Sequence, residues 1–449
     1  MKVILTLVAA LMMMVQPNVS SAQQKKRCGT AEYLEKMKAE DPTLAERIRQ
    51  DESTIRQMAQ QQSNLRTNGV NTVIMIPVVF HVLYKTTGEN ISDARIIDQV
   101  ATLNKDYARM NSDSIHNVPA PWRTLCANTN IQFGLARRDP NGNATNGIVR
   151  VPVTASGFDL LSNQNAKYTS MGGDDAWPRG SYLNVWVVNF NGSSSSLLGI
   201  SQFPNQTAAT DGCCVLYTTV GGNTNHGTEP GYNLGRTLTH EVGHWLGLYH
   251  TWGDDDNQDG SCSSPSECSG SDNVTDTPNQ GEENYGTPSF PQIDCCSSST
   301  TVNNTGDPIN GVMFMNYMDY VNDNWMNMFT QGQSTSMHNI ISQFRSTIPT
   351  SNGLDSIIGI EKINQLVLDV SIFPNPAANS VTVSCQLTKT SDLTVSLSNL
   401  LGETLYATEL KNVLDVNLPI DLSCMANGVY NLSLRNNDGV INRKVVLAK

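Results

Sequence analysis

The sequence predicts an α+β fold, and three observations carry that reading. A β-branched run from Val73 to Tyr84 leads into a helical pattern and then further strands. The stretch from Thr239 to His250 is spaced for a helix that ends in a sharp bend. Residues 367–449 change character and alternate in short strands between turn residues, as a small β-sandwich does.

The chain begins with Lys2, an apolar run from Val3 to Val15 and the small residues Ser20, Ser21 and Ala22, the layout of a signal peptide over residues 1–22. No later stretch is long enough to span a bilayer, so the expectation is an exported, soluble protein. Residues 23–69 are polar, with helical patches at Glu32–Met37 and Leu44–Gln60, and read as a pro-segment.

Residues 70–349 form the expected main folded domain. After the first strand, Ser92 is placed to cap a helix with apolar positions Ile96, Ile97, Val100 and Leu103. Strands follow at Ile131–Leu135, Tyr182–Val188 and Leu198–Phe203, and the order implies a mixed sheet packed on helices. His81, inside the first strand, is expected to be a satisfied core histidine. Thr330 to Gln333 start another helix that runs to about Arg345, and residues 350–366 form a linker.

The stretch from Thr239 to His250 reads H-E-x-x-H-x-x-G-x-x-H. On a helix, His240 and His244 lie one turn apart and aim their imidazoles at one point. Leu238, Val242, Trp245 and Leu246 fall on a different face, suited to a core. Gly247 supplies the left-handed residue at which the chain doubles back, so that His250 arrives as a third ligand. Three neutral imidazoles fit zinc and leave its fourth position to water, the arrangement of a catalytic site, and Glu241 is placed to take that water's proton. The chemistry expected is zinc-dependent hydrolysis of peptide bonds in protein or peptide substrates. A binding protein built on an inactive scaffold of this kind would have lost the Glu or a His, and none is missing.

Lys plus Arg number 29 against 41 Asp plus Glu, a net charge of -12, which argues against nucleic acid and anionic membrane as partners. Ten cysteines in an exported chain point to disulfides. The cluster Cys262, Cys268, Cys295 and Cys296 is expected to staple its own loop, and Cys385 to pair with Cys424. Cys28 stands apart in Arg27-Cys28-Gly29-Thr30, where its thiolate could occupy the position meant for water and hold the enzyme latent as a zymogen.

The loop from His250 to about Val312 is rich in Ser, Asp, Asn, Gly and Pro. Asp255, Asn257, Asp259 and Gly260 approximate the start of a calcium loop, with Ser266 where the bidentate Glu would stand; Asp272, Asp276 and the Thr277 carbonyl compete as calcium ligands. Asp323, just after Asn316-Tyr317-Met318-Asp319-Tyr320, is a candidate to favour a basic side chain on the primed side, which would make Leu65-Arg66 a point of self-cleavage.

The zinc stretch, Asp276-Thr277-Pro278, the Met318 turn and Phe329-Thr330-x-Gly332-Gln333 together resemble the pappalysin family of metzincin metalloendopeptidases. Upstream support comes from Gly172-Gly173-x-Asp175-x-Trp177 and Tyr182–Val187. The resemblance implies zinc on His240, His244 and His250, Glu241 as general base and acid, Met318 as the floor under the metal, and Tyr320 as a donor to the oxyanion. It also implies a cysteine switch at Cys28 and structural calcium near the site. One position departs: Trp325 stands where the family carries a cysteine, so its second disulfide is not expected in the usual wiring. Residues 367–449 resemble a type IX secretion sorting domain, on Phe373-Pro374-Asn375-Pro376, Gly402, Gly428-Val429-Tyr430 and the final Lys444–Lys449. That implies the type IX secretion machinery as a partner and a place outside the cell or on its surface.

Overall fold

A computed structural model describes residues 25–64, 73–113, 117–253, 268, 270–296, 310–355, 367–399, 403–436 and 439–449. The expected signal peptide, Leu65-Arg66 and the Asp255–Gly260 loop lie outside these residues.

The first part is a seven-stranded sheet with helices on its faces. In chain order it contains β1 (Lys26–Cys28), α1 (Thr30–Glu40), α2 (Leu44–Asn64), β2 (Ile74–Tyr84), α3 (Asp93–Tyr107), β3 (Ile131–Leu135) and β4 (Ile148–Pro152). β5 (Leu183–Val188), β6 (Leu197–Ser201), β7 (Cys213–Leu216), α4 (Arg236–Trp245) and α5 (Gln331–Phe344) follow. The strand order is β1-β6-β7-β5-β2-β3, with β4 also on β2. β2 is long enough to pair β3 through Ile74–Val78 and β4 through Phe80–Tyr84 on one side, with β5 on the other.

Those central strands are parallel and covered on both faces, which is why β2 and β5 read as nearly continuous apolar runs. Val78, Phe80, Val82, Val185, Val187 and Val215 pack toward α3, α4 and the Met318 turn. Trp186, Val188, Ile200 and Cys214 face the other way and meet Tyr33 of α1. Leu238, Val242, Trp245 and Leu246 are all buried, as their helical spacing requires. His81 is a satisfied core residue, with Nδ1 2.6 Å from Asp174 Oδ2 and Nε2 3.1 Å from Asn184 Oδ1.

Ser92 caps α3 by accepting from the Arg95 N–H, and Thr330 with Gln333 forms a reciprocal capping box on α5. The chain turns antiparallel at β6, and its outer edge is covered by β1, which runs parallel to it in the register Lys26 with Leu197 and Cys28 with Gly199. The helical patches expected in the pro-segment are α1 and α2. They bury Tyr33, Leu34, Leu44 and Ile55, more apolar surface than the segment's polar composition suggests.

The second part is a five-stranded antiparallel sheet made of β8 (Val367–Phe373), β9 (Ser380–Ser398), β10 (Thr404–Asp421), β11 (Gly428–Asn436) and β12 (Gly439–Leu447). In place of the short strands expected throughout 367–449, residues 381–385 and 393–397 belong to one long strand, β9. Register shifts between Leu410 and Asp415 let β9 and β10 serve two halves that share one core. The expected Cys385–Cys424 bridge is absent: Cys385 points into that core from β9, Cys424 is exposed on the turn after β10, and both thiols are free. In the long loop, Cys268 is bonded to Cys296, so the cluster does staple its own segment.

Candidate active site

The site is assembled on α4. Its first turn is held by Asp323, whose Oδ2 accepts from the Leu234 N–H at 2.8 Å and the Arg236 N–H at 3.3 Å, a carboxylate at the positive end of a helix. The other end is closed by Gly247 at φ +84°, which returns the Leu248 N–H to the Gly243 carbonyl. A side chain at Gly247 would also strike Ile340.

His240, His244 and His250 are fully buried, and their Nε2 atoms stand 3.0 to 3.2 Å from one another. Bonds of about 2.0–2.1 Å to a tetrahedral zinc put ligand nitrogens about 3.3–3.4 Å apart, so the triangle has the size of one metal. The far nitrogens are engaged: His240 Nδ1 donates to the Tyr317 carbonyl and His244 Nδ1 to the Leu248 carbonyl, each at 2.7 Å. That fixes the tautomer that turns each Nε2 lone pair inward. Burial, followed by the neighbouring His244 and His250, holds His240 well below the ordinary histidine range, in the neutral form that ligates metal. The Trp252 ring stacks on His250 at 4.4 Å.

Met318 packs against α4 at Gly243 and is fully buried; a side chain at Gly243 would run into its sulfur, so glycine there permits the approach. Glu241 is also fully buried. Its Oε2 accepts from Thr30 Oγ1 at 3.2 Å and lies 3.6 Å from Cys28 Sγ, and β6 reaches it at Gly199, where a Cβ would not fit. Burial pushes the Glu241 carboxyl up to about 8 against the pull of Cys28, Thr30 and Arg27.

The Cys28 thiol and the three imidazoles bring their ligand atoms within 4.8 Å of one another. Tyr320 donates its hydroxyl to the Cys28 carbonyl at 3.2 Å, and its ring meets that of His250. The neighbouring Arg27 is buried too, with Nη2 2.7 Å from the Val321 carbonyl and 2.8 Å from Asp323 Oδ1, under the Tyr232 ring. The structure thus brings together every residue of the expected zinc site, the cysteine and the tyrosine.

The calcium candidates are arranged differently. Asp276 accepts from Thr330 Oγ1 and the Gly332 N–H, bracing the start of α5, and Asp272 accepts from Thr277 and the Val274 N–H. Among the described residues these carboxylates form no cluster of three. Trp325, which stands where the family carries a cysteine, packs on Phe314. Sequence reasoning missed the edge of β6, Trp252 and Tyr232, since nothing in a single chain marks a residue that meets the site only through folding.

A buried helix with H-E-x-x-H, a third histidine past a glycine bend and a buried methionine turn packed on that helix define a metalloendopeptidase of the metzincin type. Residues 167–342 match the pregnancy-associated plasma protein-A peptidase family. An extracellular metalloprotease of Neurospora crassa is 31% identical over 313 residues, covering 66% of this chain and 86% of its own. A promirolysin mutant of Tannerella forsythia superposes with a TM-score of 0.60 at 41% identity, covering 72% of this chain and 97% of its own. Mature mirolysin of the same organism, in complex with a cleaved peptide, matches at 45% identity and a TM-score of 0.54, over 62% of this chain and 96% of its own. The chain belongs to the pappalysin family. Residues 371–448 match the secretion system C-terminal sorting domain, and no described helix is long and apolar enough to cross a membrane.

Proposed function

We propose that the chain is a secreted zinc endopeptidase made as a zymogen, with residues 1–22 a signal peptide, 23–69 the pro-segment, 70–349 the catalytic domain, 350–366 a linker and 367–449 the domain read by the type IX machinery. The observation that carries the reading is the triangle of three Nε2 atoms with Glu241 beside it. A zinc ion held there supplies a Lewis acid to polarise the scissile carbonyl and to acidify water. Glu241 takes a proton from the attacking water and returns it to the leaving amine. Tyr320, released from the Cys28 carbonyl, gives its hydroxyl to the oxyanion. Met318 supports the imidazoles from below.

Latency follows from Cys28, which occupies the side of the triangle that substrate needs, on a strand paired to β6. Arg27 occupies the Asp323 pocket that, once vacated, is left with a buried carboxylate and no counter-charge. A substrate's basic side chain restores one. Only Nη2 of Arg27 makes polar contacts there, while its Nε and Nη1 have no hydrogen-bond partner. An ammonium can satisfy the same two oxygens, so the pocket takes lysine as well as arginine. Structural calcium in the loop after His250 belongs to the same proposal, on the family resemblance.

The test is Glu241→Ala in the full chain, cut in trans by wild-type enzyme and purified away from it. It keeps its fold and its zinc and loses cleavage of casein; retained cleavage overturns the assignment.

A further inference from the structure

The geometry points to Asp106 as a positioning residue for the first zinc ligand: it holds both the residue that precedes His240 and the residue that accepts from His240. Asp106 lies in the last turn of α3 and is 2% exposed. Its Oδ2 accepts from Thr239 Oγ1 at 2.7 Å, and Thr239 immediately precedes His240 on α4. Its Oδ1 accepts from the Tyr317 hydroxyl at 2.8 Å, and the Tyr317 carbonyl takes the His240 Nδ1 proton.

Tyr317 is therefore held at both ends. Its N–H donates to the Met328 carbonyl at 2.9 Å, its hydroxyl reaches Asp106, and its carbonyl is left aimed at the imidazole. The direction of His240 Nε2 depends on where that carbonyl sits, because the ring pivots about the bond at Nδ1. One carboxylate thus sets the distance between the helix that carries the ligand and the turn that orients it. The His244 Nδ1 goes instead to the Leu248 carbonyl in the adjoining bend.

The counter-charge is Arg236, one turn before His240, with Nη2 3.4 Å from Asp106 Oδ1 and Nη1 2.7 Å from Asp113 Oδ2. Nη1 also donates to the Asp323 carbonyl, so the hub reaches the residue that grips Arg27. A purely structural ion pair between α3 and α4 would need Arg236 and Asp106 alone. The bonds to Thr239 and Tyr317 bring the same carboxylate to the two neighbours that define the ligand.

This inference rests on zinc binding by the three histidines, and the experiment separates the two. Asp106→Ala would open a cavity beside α4 and remove every acceptor at once, so the variants are Tyr317→Phe and the near-isosteric Asp106→Asn in the full chain. The control is Tyr107→Phe, which removes a buried hydroxyl that donates to the Thr239 carbonyl at 3.2 Å and makes no bond to Tyr317. Zinc dissociation constants are measured by chelator competition, and melting temperatures on metal-free protein.

Zinc affinity is expected to fall about tenfold in Tyr317→Phe and about 10- to 100-fold in Asp106→Asn, with Tyr107→Phe close to wild type. Zinc affinity unchanged in both variants, or lowered equally in the control, would overturn the role, whatever the melting temperatures do. A wild-type chain that binds no zinc would overturn the site and this role together.

Discussion

Arg27 and Asp323 form a buried ion pair at 2.8 Å, joining a residue of β1 to the carboxylate that caps the zinc-motif helix. The two oxygens divide the work. Oδ2 holds the first turn of α4, and Oδ1 is left for a cation.

The first prediction concerns specificity. The processed enzyme should cut on the amino side of lysine and arginine, and Asp323→Asn should lower kcat/KM for such peptides about 100-fold, since breaking a buried charge pair costs about 2–5 kcal/mol. Peptide-library cleavage read by mass spectrometry checks both. A preference for acidic or large apolar residues would exclude this pocket as the selector.

How much of this was legible in sequence differs by element. The convergence of His240, His244 and His250, with Glu241 and Gly247, was, because helical period and a glycine bend place them locally; Met318 was marked only by the family resemblance. The start of α5 near Thr330 and the Ser92 cap were readable too, because a short polar side chain ahead of an apolar helical pattern marks a helix start, whereas the reciprocal bonds of Thr330 and Gln333 were not foreseen. β1, β4 and β7 were not, being three to five residues long and stable only as members of the sheet. Asp323 was singled out by charge, yet its occupation by Arg27 joins residues 296 positions apart. The Cys385–Cys424 expectation failed because proximity in a β-domain depends on which face each residue takes.

The proposed latency rests on more than one contact. Cys28→Ala should make the uncut chain measurably active on casein but less so than processed enzyme, because Arg27, α1 and α2 stay docked. Adding Arg27→Ala should raise that activity further. An uncut Cys28→Ala chain as silent as wild type would remove the thiol from the mechanism.

A pH effect is expected from Asp319 in the Met318 turn. Burial pushes its carboxyl up to about 7, while bonds from Asn284, Tyr320 and Gln280 pull the other way. The folded chain then holds this proton more tightly than an unfolded chain, whose carboxyl titrates near pH 4. The contribution to stability is complete below about pH 4 and is lost as pH rises through about 7. The melting temperature of wild type minus that of Asp319→Asn should therefore shrink across that range. A gap independent of pH would contradict it.

Arg345 closes the far end of α4. Its Nη1 lies 3.0 and 3.2 Å from the two Asp211 oxygens, its Nε and Nη2 reach the Trp245 carbonyl, and the guanidinium lies 3.6 Å over the Trp245 ring. Arg345→Ala leaves Asp211 buried without its cation and should cost about 3–5 kcal/mol in urea unfolding. Arg345→Lys should recover only part, since one ammonium cannot replace a planar fork.

The most direct measurement is X-ray absorption at the zinc edge on the purified, uncut full chain. The account predicts one zinc per chain with three imidazole nitrogens and one sulfur around it. A chain that takes up no zinc, or a zinc whose shell contains fewer than three imidazoles, would contradict it.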